Sequence, residues 1–379
     1  MSLINYITQI QFDFGAIRLL NEECARIGIQ RPLIVTDKGV RAAGIIDTVL
    51  DALASATPVA IYDGTPSNPN EAAVRDAVAA YRDGNCDGIV AVGGGSAIDL
   101  AKGVAVCATH EGPLQSFAVI EGGLARITSR TAPVIAVPTT AGTGSEVGRG
   151  AILILDDGRK VGVISPFVVP KVAICDPALT LGLPSMLTAA TGMDAIAHCI
   201  ETFLAPAFNP PADGIALDGL WRAWRHIERV THQPDNRTAR LNMMSASMQG
   251  ALAFQKGLGC VHSLSHSLGG INPRLHHGTL NAIFLPAVIE FNQDAPTVRD
   301  EDKLNRLAKA MGLGSGAEVA PSLRAMTERL GLPTGLAQLG VTREMFPDIV
   351  KGALKDHSHK TNPRVASESD YVAMLEASM

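Results

Sequence analysis

The chain has 379 residues, 46% apolar and 18% charged, and carries a net charge of −5. That length and balance describe a folded protein with room for two domains and argue against a disordered chain. No run of Lys or Arg tracks a phosphate backbone, which argues against nucleic acid, and no apolar stretch approaches the ~20 residues needed to cross a bilayer. The opening MSLINYITQIQFDFGA is too polar for a signal-peptide core, and six cysteines without a C-x-x-C pair suit reduced thiols, so a cytoplasmic location is expected.

Along the first 180 residues, short β-branched runs ending in Gly, Asp or Pro alternate with Ala-rich stretches. RPLIVTDKG precedes RAAGIIDTVLDALAS, and PVAIYDG precedes NEAAVRDAVAAYRDG. This is the pattern of βα units feeding a parallel sheet. Two further runs, DGIVAVGGG and APVIAVPTT, are almost wholly apolar, as central strands covered on both faces must be. After KVAICDPALTLGLP, strand-like runs almost vanish, and helical stretches such as SMLTAATGMDAIAHCIETFLA and RTARLNMMSASMQGALAFQ take over. The expected organisation is a Rossmann-like α/β domain over residues 1–180 and an all-α domain over 181–379. With no linker between them, a ligand cleft between the two is expected.

Two loops carry dinucleotide chemistry. The strand GIVAVG runs into Gly94, Gly95 and Ser96 and then a helix, so backbone N–H groups at the helix start can meet a pyrophosphate. Ser96 and Asp99 also fit the S-x-x-D capping pattern. The spacing differs from G-x-G-x-x-G, so that fingerprint is absent. A second turn, Pro138 to Glu146, follows another apolar strand and offers Thr139, Thr140 and Thr143. Two such loops at strand ends favour a dinucleotide over a purely structural turn. Asp37, ending PLIVTD, is placed to accept hydrogen bonds from an adenosine ribose and repel a 2′-phosphate. That reading favours NAD over NADP, the alternative being a simple turn residue.

Asp194 and His198 lie four apart in TGMDAIAHCIE, as do His262 and His266 in GCVHSLSHSLGG, and His276 and His277 follow. Four-residue spacing puts each pair on one helix face. A single histidine on an apolar helix is most often a core residue, but two such pairs and a doublet point to a metal. A mixed Asp/His set suits Fe²⁺ or Zn²⁺. Spacing alone pairs His262 with His266 as ligands and leaves the loop histidines as a fourth ligand or a proton relay.

These motifs together resemble the iron-containing (group III) alcohol dehydrogenase family over essentially the whole chain. The matching segments are TDKG (36–39), SNPN around Asn68, GGGSAIDLAK (93–102), PTTAGTGSE (138–146), CDP (175–177), TGMDAIAHCIE (191–201), the histidine segment 262–278 and TNPR (361–364). The resemblance implies a dehydroquinate-synthase-like architecture, with a nicotinamide cofactor and a divalent metal, usually Fe²⁺ and sometimes Zn²⁺. It implies Asp194, His198, His262 and His277 as ligands and moves His266 beside the nicotinamide. It also implies Gly94, Gly95 and Ser96 at the pyrophosphate, with Asp37, Asn68, Asp99, Thr139, Thr140, Thr143 and Lys160 around the rest of the cofactor. A homodimer or larger assembly is expected.

The chain departs from the family pattern in two places. NPRLHHG replaces a Pro-His-Gly ending, so His276 competes with His277 as ligand; whichever is not a ligand joins His266 as a candidate proton carrier. Arg149, His357 and His359 add basic groups near the expected substrate end, suggesting an anionic substrate such as a hydroxy acid or its semialdehyde. The expected reaction is hydride transfer between a primary alcohol, or its aldehyde, and NAD(H). The competing readings are a dehydroquinate-synthase-like lyase, a maleylacetate-reductase-type enzyme and a non-catalytic NAD-binding protein.

Overall fold

A parallel sheet buried on both faces needs apolar residues at every position, and the central strands have them. The computed structural model describes residues 8–379. In chain order the strands are β1 (Gln9–Phe12), β2 (Pro32–Val35), β3 (Ala60–Tyr62), β4 (Gly88–Gly93), β5 (Val134–Pro138), β6 (Gly150–Ile154), β7 (Lys160–Ile164) and β8 (Val172–Cys175). Six of them form one sheet in the order β1-β8-β5-β4-β2-β3, every adjacent pair parallel. The other two, β6 and β7, form a separate antiparallel hairpin.

Alternation assigns each strand's residues to two cores. Leu33, Val35, Ile89, Ala91, Val134 and Ala136 face one side. Ile34, Val90, Val92, Ile135, Val137 and Ile174 face the other. Each fully buried Val, Ile or Leu contributes about 1.5–3 kcal/mol relative to exposure, so the two-sided core is the main force holding these strands. The stretch after β2 read as one helix, but it breaks at Gly44 into Lys38–Ala42 and Ile45–Asp51.

The remaining chain is helical. Its principal helices are Ser185–Leu204, Pro210–His232, Arg237–Leu252, Cys260–Ile271 and His277–Asn292, followed by shorter ones to the C-terminus. The chain divides into two compact units. One comprises the residues through Thr140 together with Gly144–Gly182; the other comprises Leu183–Met379 and the short Ala141–Thr143 segment. All six cysteines are free thiols. Among the described residues, no helix is long and apolar enough to cross a membrane.

Candidate metal centre and cofactor loops

Helix Ser185–Leu204 is buried along most of its length, so a polar residue on it must be satisfied by its neighbours. Asp194, His198 and Glu201 occupy positions i, i+4 and i+7, one face of the helix, and each is at most 4% exposed. His262 comes from helix Cys260–Ile271, and His277 is the first residue of helix His277–Asn292. Gly278 permits that approach: a Cβ there would lie 2.1 Å from the Ala190 carbonyl oxygen, so only glycine lets the two helices meet with His277 beside Asp194.

Asp194 Oδ1 lies 3.5 Å from His198 Nε2, 3.7 Å from His262 Nε2 and 3.7 Å from His277 Nε2. These separations are too long for direct hydrogen bonds. They match the edges of a tetrahedron, about 3.4 Å when four ligands sit ~2.1 Å from a common ion. Asn281 makes the same point. Its Nδ2 faces Asp194 Oδ1 (2.7 Å), His277 Nε2 (3.1 Å) and His262 Nε2 (3.3 Å), while its buried Oδ1 has no hydrogen-bond partner among the described residues. One amide with two N–H groups cannot serve three lone pairs at once; a divalent cation can. Three imidazoles and a carboxylate are a donor set suited to Fe²⁺ or Zn²⁺.

Nδ1 is anchored in three of the histidines. His198 Nδ1 lies 3.3 Å from the Gly142 carbonyl oxygen, His262 Nδ1 lies 2.5 Å from Glu201 Oε2, and His266 Nδ1 lies 3.0 Å from Asp356 Oδ2. Burial lowers His198 to about 4 despite the neighbouring Asp194. For His262, burial also works downward, but Glu201 and Asp194 outweigh it and lift the imidazole to about 9. Burial would raise the Asp194 carboxyl, yet the surrounding His198, His262 and His277 hold it well below the ordinary range.

His266 falls outside this group. Asp194, His198 and His262 offer ligand atoms all within 4.8 Å of one another, whereas His266 groups with Asp356 and His357. Spacing alone had paired His262 with His266; a four-residue offset shares a helix face but does not fix where each ring points. Its ring stacks on His277 (5.3 Å) and on His357 (5.8 Å). His276, the residue before the helix, is exposed, so of the doublet it is His277 that faces Asp194. His277 opens a helix instead of lying in a loop, because the apolar run that follows it packs into the core.

In the α/β unit, the glycine turn after β4 leads directly into helix Gly95–Cys107, whose N-cap, Gly94, has no side-chain cap. The S-x-x-D capping pattern does not form: Ser96 lies inside the helix and donates to the Ser67 carbonyl (2.6 Å). Asp99 accepts instead from Ser145 Oγ (2.6 Å) and Ile152 N (2.9 Å), because the second loop folds over this helix. Buried Lys102 completes the clamp, donating to the carbonyls of Ser145 (2.7 Å), Gly148 (2.9 Å) and Gly150 (2.7 Å) and to Ser145 Oγ (2.8 Å). Burial lowers this lysine to about 8 and raises its neighbour Glu146 to about 7.

Asp37 lies two residues beyond β2 and caps helix Lys38–Ala42 through Oδ1, which accepts from Val40 N (2.9 Å). Lys160 donates to Asn68 Oδ1 (3.0 Å). Thr139 is buried, and Thr140 and Thr143 are half-buried; a Cβ on Gly94 would lie 3.3 Å from Thr140 Oγ1, so the two loops touch. Arg149 is exposed at the start of the hairpin. His359 pairs with the Tyr371 hydroxyl (3.0 Å), whereas His357 lies beside the His266 ring.

Two family models account for nearly the whole sequence: iron-containing alcohol dehydrogenase over residues 8–177, and the C-terminal part of the Fe-containing alcohol dehydrogenase family over residues 188–379. The chain belongs to the iron-containing alcohol dehydrogenase family. As a family member it is an oxidoreductase, and the family implies a divalent metal, a nicotinamide cofactor and a small alcohol or aldehyde substrate. The chain is 66% identical to a 4-hydroxybutyrate dehydrogenase of Cupriavidus necator, each covered over its full length. It also resembles a crystal structure of 1,3-propanediol oxidoreductase, with TM-score 0.93, 35% identity and full coverage of both chains. A sulfoacetaldehyde reductase from Bifidobacterium kashiwanohense, solved in complex with NAD+, matches with TM-score 0.89 and 27% identity, covering 100% of this chain and 98% of that one.

Four residues of this dehydrogenase were given no role by the sequence reading: Glu201, Asn281, Asp356 and Lys102. Glu201 alone had a plain signal, a carboxylate three residues beyond His198 in an otherwise apolar stretch. The other three act through partners distant in sequence, Lys102 through Ser145, Asp356 through His266 and Asn281 through Asp194, 43, 90 and 87 residues away.

Proposed function

We propose that this family member is an NAD-dependent, Fe²⁺-preferring dehydrogenase of ω-hydroxy acids with a short chain, 4-hydroxybutyrate being the first candidate. The observation that carries the reading is the full-length 66% identity to a 4-hydroxybutyrate dehydrogenase. The name of the more distant sulfoacetaldehyde reductase likewise describes a substrate with an anionic group beyond its carbonyl. His357, half-buried beside His266, is the basic group best placed to meet such an anion; His359 is engaged with Tyr371, and Arg149 is a secondary candidate.

In this reading Asp194, His198, His262 and His277 hold the cation. When bound, the cation supplies Lewis acidity toward the substrate oxygen and the nicotinamide supplies the hydride chemistry. The chain's own residues do the rest. Asp356 holds His266 by Nδ1, leaving Nε2 to take or return the hydroxyl proton, and this favours His266 over exposed His276 as the carrier. The uncapped helix start at Gly94 to Ser96 leaves N–H groups for a pyrophosphate, with Thr139, Thr140, Thr143, Asn68 and Lys160 as further cofactor contacts. Asp99 supports that loop from below through Ser145. Asp37 sets the preference for NAD by disfavouring a 2′-phosphate.

Steady-state kinetics with NAD over ω-hydroxy acids, diols and primary alcohols of equal length tests the proposal. The expected result is a kcat/KM for 4-hydroxybutyrate at least about tenfold above that for 1,4-butanediol, since a site built for an anion discriminates strongly against its absence. Equal or better use of the diol would overturn it.

A further inference from the structure

Glu201 is a buried carboxyl side chain whose only ion-pair partner among the described residues is His262, and a buried polar group is costly unless its hydrogen bonds are met. Its two oxygens have separate tasks. Oε1 accepts from the Val261 backbone N–H (2.8 Å), and Oε2 faces His262 Nδ1. Helix Cys260–Ile271 begins at Gly259 without a side-chain cap of its own. A Cβ on Gly259 would lie 2.8 Å from Glu201 Oε1 and 2.5 Å from Asn362 Oδ1. The glycine therefore leaves the helix start open, and Glu201 and Asn362, which accepts from Cys260 N (3.2 Å), close it from outside.

We propose that Glu201 is a positioning residue that fixes the tautomer and ring direction of His262, so that Nε2 presents its lone pair to the cation. The inference rests on the reading of Asp194, His198, His262 and His277 as the metal site. A neutral imidazole has one proton, and the nitrogen that bears it is set by the partner of that nitrogen. With a cation at Nε2, the one remaining proton sits on Nδ1, where Glu201 Oε2 is placed to accept it. Asn281 agrees from the far side, its Nδ2 lying 3.3 Å from His262 Nε2, where a donor needs a lone pair to meet. Glu201 also joins two ligand-bearing helices: it sits one turn beyond His198 and grips the first turn of the helix that carries His262.

The isosteric Glu201→Gln variant separates positioning from capping. Gln Oε1 can still accept from Val261 N–H, but its amide donates toward Nδ1, which forces the imidazole proton onto Nε2. The apo variant should melt close to the wild type, while zinc affinity, read by chelator competition, should fall about ten- to a hundredfold. Affinity within twofold of wild type in a folded variant would overturn the proposal. If the variant fails to fold, the zinc-loaded wild type with ¹⁵N-histidine decides. A downfield, exchange-protected Nδ1–H on His262 supports the proposal, and an Nδ1–H that exchanges freely with water contradicts it. A wild-type chain that binds no zinc refutes the metal-site reading itself, and is recognised because the variant is then not needed.

Discussion

On the proposed assignment, the two units place a ligand in opposite ways. In the α/β unit the loops are held from beneath by a buried clamp, Lys102 with Asp99 and Ser145, and the surfaces left for a cofactor are backbone and hydroxyl groups. In the helical unit, side chains from three helices point at one spot, with the His198 and His262 imidazoles anchored at their other nitrogens. The first arrangement should tolerate loss of a single contact at the surface but not of the clamp. The second should lose its ion when any one ligand goes, with little effect on the fold.

The largest effect expected is therefore functional. His198→Ala should remove stoichiometric metal and lower kcat by about three orders of magnitude, the scale of a lost Lewis acid. Metal analysis with turnover measures both, and full activity in a metal-free variant would break the contrast. Lys102→Met should do the reverse. It strands four acceptors and leaves Asp99 and Glu146 without their cation, costing about 3–5 kcal/mol in denaturant unfolding. Unchanged stability would show that the clamp is not holding the loops.

Glu146 sharpens the comparison by pH. Its folded value of about 7 lies above the ordinary 4.5, so the stability it contributes is fully present below pH 4.5 and lost as pH rises through 7. The span corresponds to roughly 3 kcal/mol. Glu146→Gln should flatten that part of the stability profile between pH 4.5 and 7, and an unchanged slope would place the titration elsewhere. The smallest effect is at Asp37. Removing its cap with Asp37→Ala should cost about 1 kcal/mol of stability and raise kcat/KM with NADP relative to NAD. Unchanged coenzyme preference would leave Asp37 as a helix cap alone.

Much of this was legible in the residues. The central strands announced themselves because a strand covered on both faces cannot hide a polar residue, and the Asp194–His198 pair because its spacing survives any packing. The hairpin of β6 and β7 did not. GAILI has no polar alternation, and the Asp157–Gly158 turn signal within LDDGRKV lay between two runs that each looked like buried sheet. Edge strand β1 was masked by Gln9 and Gln11, whose side chains turn to Glu23 (3.0 and 2.6 Å). In the site, helical spacing could place His262 and His266 on one face but not tell which imidazole turned toward Asp194. That depends on Glu201 and Asp356, partners 61 and 90 residues away in sequence.

The central claim, that one divalent cation sits among Asp194, His198, His262 and His277, is tested most directly by anomalous diffraction at the iron edge from crystals of the Fe²⁺-loaded protein. The account predicts a single strong peak bonded to Asp194 Oδ1 and to Nε2 of the three histidines. A peak at the neighbouring His266, Asp356 and His357 group, or a ligand set containing His276 in place of His277, would contradict it.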